Sequence, residues 1–236
     1  MQTPGAAQLL DVWEQGLELP PPRRALALLG AVCPDTSGEA LAALTLGHRD
    51  DLLLELRAHL FGSRLEIVVP CPSCGEPLES ALDVGELRIG TLAPPREQSI
   101  RLDDRTIRFH APTAGDLVDL PADPATARIA LLARCMIDAT PAVDTLPESA
   151  VDAISTAMAA ADPHADTELA LACPACGHRW QSAFDIAAFL WREIDAWAQR
   201  TLREVHALAR GYGWREHDIL ALTPTRRQIY LAMIQP

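Results

Sequence analysis

Leu65-Glu-Ile-Val-Val-Pro-Cys71-Pro-Ser-Cys74-Gly75-Glu-Pro-Leu-Glu-Ser80-Ala81-Leu82-Asp83-Val84 and Thr167-Glu-Leu-Ala-Leu-Ala-Cys173-Pro-Ala-Cys176-Gly177-His-Arg-Trp-Gln-Ser182-Ala183-Phe184-Asp185-Ile186 are two copies of one motif. The offset is 102 residues throughout, from Cys71 to Cys173 and from Cys74 to Cys176. Each copy reads as a strand, a tight CPxCG turn and a returning strand, with Gly75 suited to a left-handed turn position. Two such turns facing each other supply four thiolates for one tetrahedral ion, and cysteine pairs at this spacing predict a structural zinc held by Cys71, Cys74, Cys173 and Cys176, one per chain.

The separation of the turns does not count against this. Ninety-eight residues lie between Cys74 and Cys173, and closing such a loop costs on the order of 4 kcal/mol. A structural zinc contributes roughly 10–16 kcal/mol in small peptides. Other chemistries fit less well. A redox CxxC opens a helix after a strand, whereas both copies here read as hairpins. Disulfides need an oxidising compartment. Catalytic zinc needs an open position that four cysteines do not leave. His178, beside Cys176, is an alternative fourth ligand. Cys33 and Cys135 lie in apolar helical runs and read as core residues.

Working outward, residues 6–17 and 23–33 read as helices separated by Pro20-Pro21-Pro22, and 48–60 as a third. Residues 91–98 read as a loop. Ser99–Leu102 and Thr106–His110, joined by Asp103-Asp104-Arg105, read as a further hairpin. Thr113 and Asp116 form a capping-box pattern ahead of an apolar run. Helices follow over about 123–137 and 147–161. Asp185 is placed to cap a long helix to about Ala209, with Leu190, Ile194, Trp197, Leu202, Val205 and Leu208 along its apolar stripe and Arg192, Arg200, Arg203 and Arg210 mostly off it. Short helices over 215–221 and from Pro224 complete the chain. The expected class is α+β, mostly helical, with two CPxCG zinc-knuckle hairpins forming a split zinc ribbon. A single domain over 1–236 is expected: N-terminal helices 1–62, first zinc hairpin 63–86, hairpin plus helical insertion 87–165, second zinc hairpin 166–185 and C-terminal helices 186–236.

Composition narrows function. The formal net charge is −12 and there is no lysine. An acidic surface repels phosphates, so nucleic acid is not an expected partner, although zinc ribbons often serve that role and a nucleic-acid or transcription-associated protein is the alternative reading. No apolar run reaches the ~20 residues of a membrane span. No basic segment followed by an apolar one marks a secretion signal, which predicts a cytoplasmic protein when made. No HExxH, GxSxG, Walker lysine or kinase pattern is present, so neither an enzyme nor a small-molecule binder is expected. The aromatic residues Trp191, Trp197, Tyr212, Trp214 and Tyr230, with Arg226 and Arg227, crowd the end of the chain. They read as core staples or as a partner-binding surface.

Several stretches together resemble a known family. These are Gly47-His-Arg49-Asp50, Leu52-Leu53-Leu54-Glu55-Leu56-Arg57, Phe61-Gly62, both CPxCG turns, and a tail from Glu204 through Gly211-Tyr212-Gly213-Trp214 to Arg226-Arg227-Gln-Ile-Tyr230-Leu231. The sequence resembles the T-even-type phage baseplate hub assembly chaperones and baseplate proteins of contractile tails and contractile injection systems. The resemblance implies a non-enzymatic protein that helps assemble, or sits within, a contractile particle. It also implies other baseplate, hub or spike proteins as partners.

Overall fold

The computed structural model describes residues 1–88, 97–102, 105–138 and 142–234. Most of the expected loop at 91–98, and Asp103-Asp104 of the expected hairpin turn, lie outside them. The architecture is helical with small antiparallel sheets, and the described chain packs as two compact units, 1–34 with 187–236 and 35–186.

The larger unit holds both cysteine motifs. Helices Gly38–Ala42 (α3) and Leu46–Phe61 (α4) lead into strands Arg64–Pro70 (β1) and Pro77–Asp83 (β2), then the short helix Val84–Leu87 (α5). Gly62, at φ +89, turns the chain from helix to strand. Strands Gln98–Leu102 (β3) and Arg105–Phe109 (β4) pair next. Helix Pro124–Cys135 (α6), a 3-10 turn at Val143–Thr145 and helix Glu148–Ala161 (α7) precede strands Glu168–Ala172 (β5) and Arg179–Ala183 (β6). Ile107, Phe109, Leu132, Cys135, Val143, Val151, Ile154 and Met158 form the core that seats β3–β4 on α6 and α7. Each of the three sheets has two strands. A lone hairpin is marginal in water, so each needs support from elsewhere.

The smaller unit comprises Ala6–Gly16 (α1), Pro21–Val32 (α2), most of Ile186–Tyr212 (α8), Glu216–Leu220 (α9) and Pro224–Ile234 (α10). Gly16 lies under the Trp191 ring so closely that a Cβ there would overlap it, and the Arg24 guanidinium covers the ring at 4.7 Å. Trp13 donates its indole N–H to Asp195 at 2.9 Å.

Two readings change. The Thr113–Asp116 box forms, with Thr113 donating N–H and O–H to Asp116 at 2.8 and 2.7 Å. Turns follow it instead of a helix, and Asp119 sits at φ +56. Helix α8 continues to Tyr212, where Gly213 at φ +69 ends it. Leu202 leaves the apolar stripe and is 38% exposed, because it lies about 120° round the helix from Leu190 and Leu208 at 100° per residue.

The duplication is longer than the cysteine motifs. Each hairpin is preceded by two longer helices in the same order, twelve-residue α2 and α4 before the first and twelve-residue α6 and α7 before the second, and each runs into a helix start at Val84 or Ile186. At the 102-residue offset, buried Leu41, Leu56, Ile67, Cys71 and Val84 correspond to buried Val143, Met158, Leu169, Cys173 and Ile186. The order helix, helix, hairpin thus occurs twice, with β3–β4 and its following turns between; the burial match holds from Leu41 onward and not in α2, whose buried Val32 falls on exposed Arg134 and which packs in the smaller unit.

Candidate metal centre

Each cysteine turn is built the same way. The Cys71 N–H donates to the Glu76 carbonyl at 2.9 Å and the Gly75 N–H to the Cys71 carbonyl at 2.9 Å. In the second copy Cys173 donates to His178 at 2.8 Å and Gly177 to Cys173 at 2.9 Å. Gly75 and Gly177 take φ +76 and +72, values that a side chain would strain. The turn therefore fixes where both sulfurs of a CPxCG point.

The two turns meet tip to tip. The Cys71 and Cys176 sulfurs are 3.7 Å apart, as are those of Cys74 and Cys173. All four lie within 4.8 Å of one another. The first cysteine of each turn faces the second of the other, an approximate two-fold arrangement. Cys71 and Cys173 are buried at 2% and 3% exposure, while Cys74 and Cys176 are exposed. A tetrahedron with metal–sulfur bonds of ~2.3 Å has edges of about 3.8 Å, so the cluster is compatible with a metal site. Burial opposes ionisation of Cys71, yet N–H groups of Cys74 and Ser73 and the thiols of Cys74 and Cys176 bring its thiol down to about 7. At Cys74 the Glu76 N–H favours the thiolate, but the neighbouring sulfurs outweigh it and lift the thiol to about 12. Of Cys71 and Cys74 the buried sulfur therefore ionises first, and an incoming cation displaces protons from the ligands that remain protonated. His178 stacks on Trp180, with ring centres 5.9 Å apart.

The helices preceding the hairpins are joined to each other. Buried Asp162, just after α7, accepts the Gly47 N–H in the first turn of α4 at 2.8 Å. It caps α4 from a segment 115 residues away, where a carboxylate also meets the positive end of the helix. A Cβ on Gly47 would overlap that carboxylate. At the other end of α4, buried Arg57 donates to the Gly62 and Arg64 carbonyls at 2.7 and 2.6 Å and fixes the corner into β1. Arg88 beyond α5 binds Asp51 through two nitrogens, each at 2.8 Å, and Glu55 at 2.9 Å. The Arg88 hydrogen bond holds the Asp51 carboxyl below its usual value. Sequence reading missed Asp162, Arg57 and Arg88 as supports. A signal was there for Arg57: with Arg49 and Leu53 it makes an i, i+4 line on a leucine-rich helix, where a solvated arginine is out of place.

A second group, His110, Asp116 and Cys135, also converges. Hydrogen bonds account for it. Asp116 accepts from Thr113, Cys135 lies 3.9 Å from Asp116, and the His110 ring nitrogens face the Ala111 and Arg134 carbonyls. Burial lifts the Cys135 thiol to about 12, which makes it an inert core residue. Cys33 is half-buried.

The aromatic and arginine residues near the C-terminus divide by burial. Trp191 is 9% exposed beside Gly16, and Arg227 is 3% exposed and bound to Glu204 at 3.0 Å. These two are interior. Tyr212 stacks on Trp214 with ring centres 4.6 Å apart, and Tyr230 meets both rings edge-on at 5.8 and 4.9 Å, over Val205, Leu208 and Ile219. They and Trp197 are half-buried, and Arg226 is exposed.

A family profile described as T4 bacteriophage base plate protein matches residues 26–191. The match covers 166 of 236 residues, includes both cysteine turns, and ends at Trp191, before the tail. Neither the curated proteins nor the solved structures contain a match to the chain.

Proposed function

Because the chain belongs to the T4 bacteriophage base plate protein family, we propose that it is a non-enzymatic protein of a contractile tail-like particle. It would build the base plate or its hub, with its fold clipped by one structural zinc. The observation that carries this is the family match running across both cysteine pairs. Cys71, Cys74, Cys173 and Cys176 would hold the ion as a split zinc ribbon. A site filled by four thiolates is structural, since no position is left for water or substrate. The partners on this reading are other base plate, hub or spike proteins. Among the described residues no helix is long and apolar enough to cross a membrane.

The alternative nucleic-acid role loses support at the hairpins. Glu66, Glu76, Glu79, Asp83 and Glu168 are exposed there against Arg64 and Arg179, the wrong sign for phosphate contacts.

Deletion of the gene in a particle-producing host tests the assignment. Electron microscopy is expected to show tubes and sheaths without completed base plates. Intact, functional particles from the deletion strain would contradict it. Mass spectrometry of purified wild-type particles separates a resident component, which is retained, from an assembly factor, which is absent.

A further inference from the structure

Charge in this protein is segregated. Residues 35–186 carry 11 arginines against 24 carboxylates, net −13, while 1–34 with 187–236 carry 9 against 8, net +1. Within the smaller unit the positive charge is concentrated on one face of α8. Arg192, Arg203 and Arg210 fall within about 20° of one line at 100° per residue and span about 27 Å; Arg200 lies beside that line. All four are exposed. The acids of the same helix, Glu193, Asp195 and Glu204, are half-buried. Asp195 is held by Trp13 and Gln199, and Glu204 by Arg227 and Gln228. Among the described residues, no carboxylate pairs with Arg200, Arg203 or Arg210. Leu202 is exposed beside Arg203.

A complementary face exists on the same chain. On the outer side of the β1–β2 hairpin, Glu66 pairs with Ala81 and Val68 with Glu79. Val68 is 65% exposed beside the exposed carboxylates of Glu66 and Glu79; Arg64 shares the face and lies 3.5 Å from Glu66. On α8 exposed Leu202 borders the line of Arg192, Arg203 and Arg210, about 80° round the helix from it and on the side away from Arg200.

We propose that the arginine face of α8 docks on the outer face of the β1–β2 hairpin of a second copy of this chain. Guanidiniums meet Glu66 and Glu79, and Leu202 covers Val68. The occupant is a second copy because both charges and both apolar residues are already in one sequence. Nucleic acid, the other polyanion such a stripe could meet, is disfavoured by the net −12 of the whole chain. Since the two faces differ, every copy offers one of each, and association closes as a reciprocal dimer or ring or continues as an open chain. This goes beyond the base plate assignment and does not depend on it.

Sedimentation of the full chain, purified without chelator, tests the contact. At about 20 mM salt, dimers or larger species are expected as concentration rises. Near 0.5 M salt, where screening is short-ranged, they should dissociate. Substitution R203E and, separately, E79R should each weaken self-association about tenfold or more, as expected for close interfacial charge pairs. An equimolar mixture of R203E and E79R should recover it, because the reversed charges face each other; far-ultraviolet circular dichroism confirms that both variants are folded. A wild-type chain that stays monomeric at low salt overturns the proposal and leaves the base plate assignment standing. So does an R203E variant that assembles like wild type, a mixture that fails to recover, or a monomer whose α8 face binds duplex DNA.

Discussion

Gly47 lacks a side chain because the Asp162 carboxylate fills the space a methyl would take. The contact joins the start of one helix to the end of its repeat counterpart, and it is buried. Asp162→Ala should cost about 2 kcal/mol, the scale of a charged hydrogen bond to backbone at a helix cap, read as a lower denaturant midpoint. Gly47→Ala should be at least as damaging, because the methyl displaces the carboxylate as well as breaking its bond. Arg57 behaves alike. Replacing it with Ala leaves the Gly62 and Arg64 carbonyls without their donor, a loss of about 2–3 kcal/mol. None of these residues carries a motif. Asp162 reads as a chain break before Pro163, since nothing local to the sequence says which distant amide a buried carboxylate accepts.

Among the elements, the hairpins are the most legible part of the chain and α8 the next. A CPxCG turn dictates its own hydrogen bonds and glycine conformation, so the sequence specifies its geometry without help from the rest of the fold. Helix α8 shows its period clearly, but residues such as Leu202 can be assigned to the core by type while the helix angle puts them outside. The Thr113–Asp116 box forms its hydrogen bonds without a helix behind it, because a capping pattern satisfies backbone groups in a turn equally well. Two predictions belong to these elements. Cys71→Ser should remove a buried sulfur that faces both turns, abolish stoichiometric metal and expose both hairpins to protease. Cys74→Ser, at an exposed position, should weaken metal binding with a smaller effect on the fold. Acidification should act in the same direction. The ligands bind as thiolates, so protons compete with metal, and affinity should fall as pH drops below about 12, the value to which Cys74 is lifted, and more steeply below about 7, the value to which Cys71 is brought. Titration of metal release against pH checks the sign; tighter binding in acid would contradict it.

Across the whole molecule, the repeat is what the sequence hides best. Beyond the hairpins, helix packing constrains size and apolarity and not identity, and Leu41 and Leu56 share burial but not residue type with Val143 and Met158 at the same offset. Only the cysteine turns, where chemistry fixes residue type, still display the 102-residue offset openly. The repeat also explains the long loop between the cysteine pairs, since each copy brings its own helices and contributes half of a nearly two-fold site. On the proposed reading, a shared ion ties the two hairpins together across 98 intervening residues. X-ray absorption at the zinc edge, on protein purified without added metal or chelator and quantified by elemental analysis, tests this most directly. The account predicts one zinc per chain with four sulfur neighbours at ~2.3 Å; protein that is folded without stoichiometric zinc, or zinc bound by fewer than four sulfurs, would contradict it.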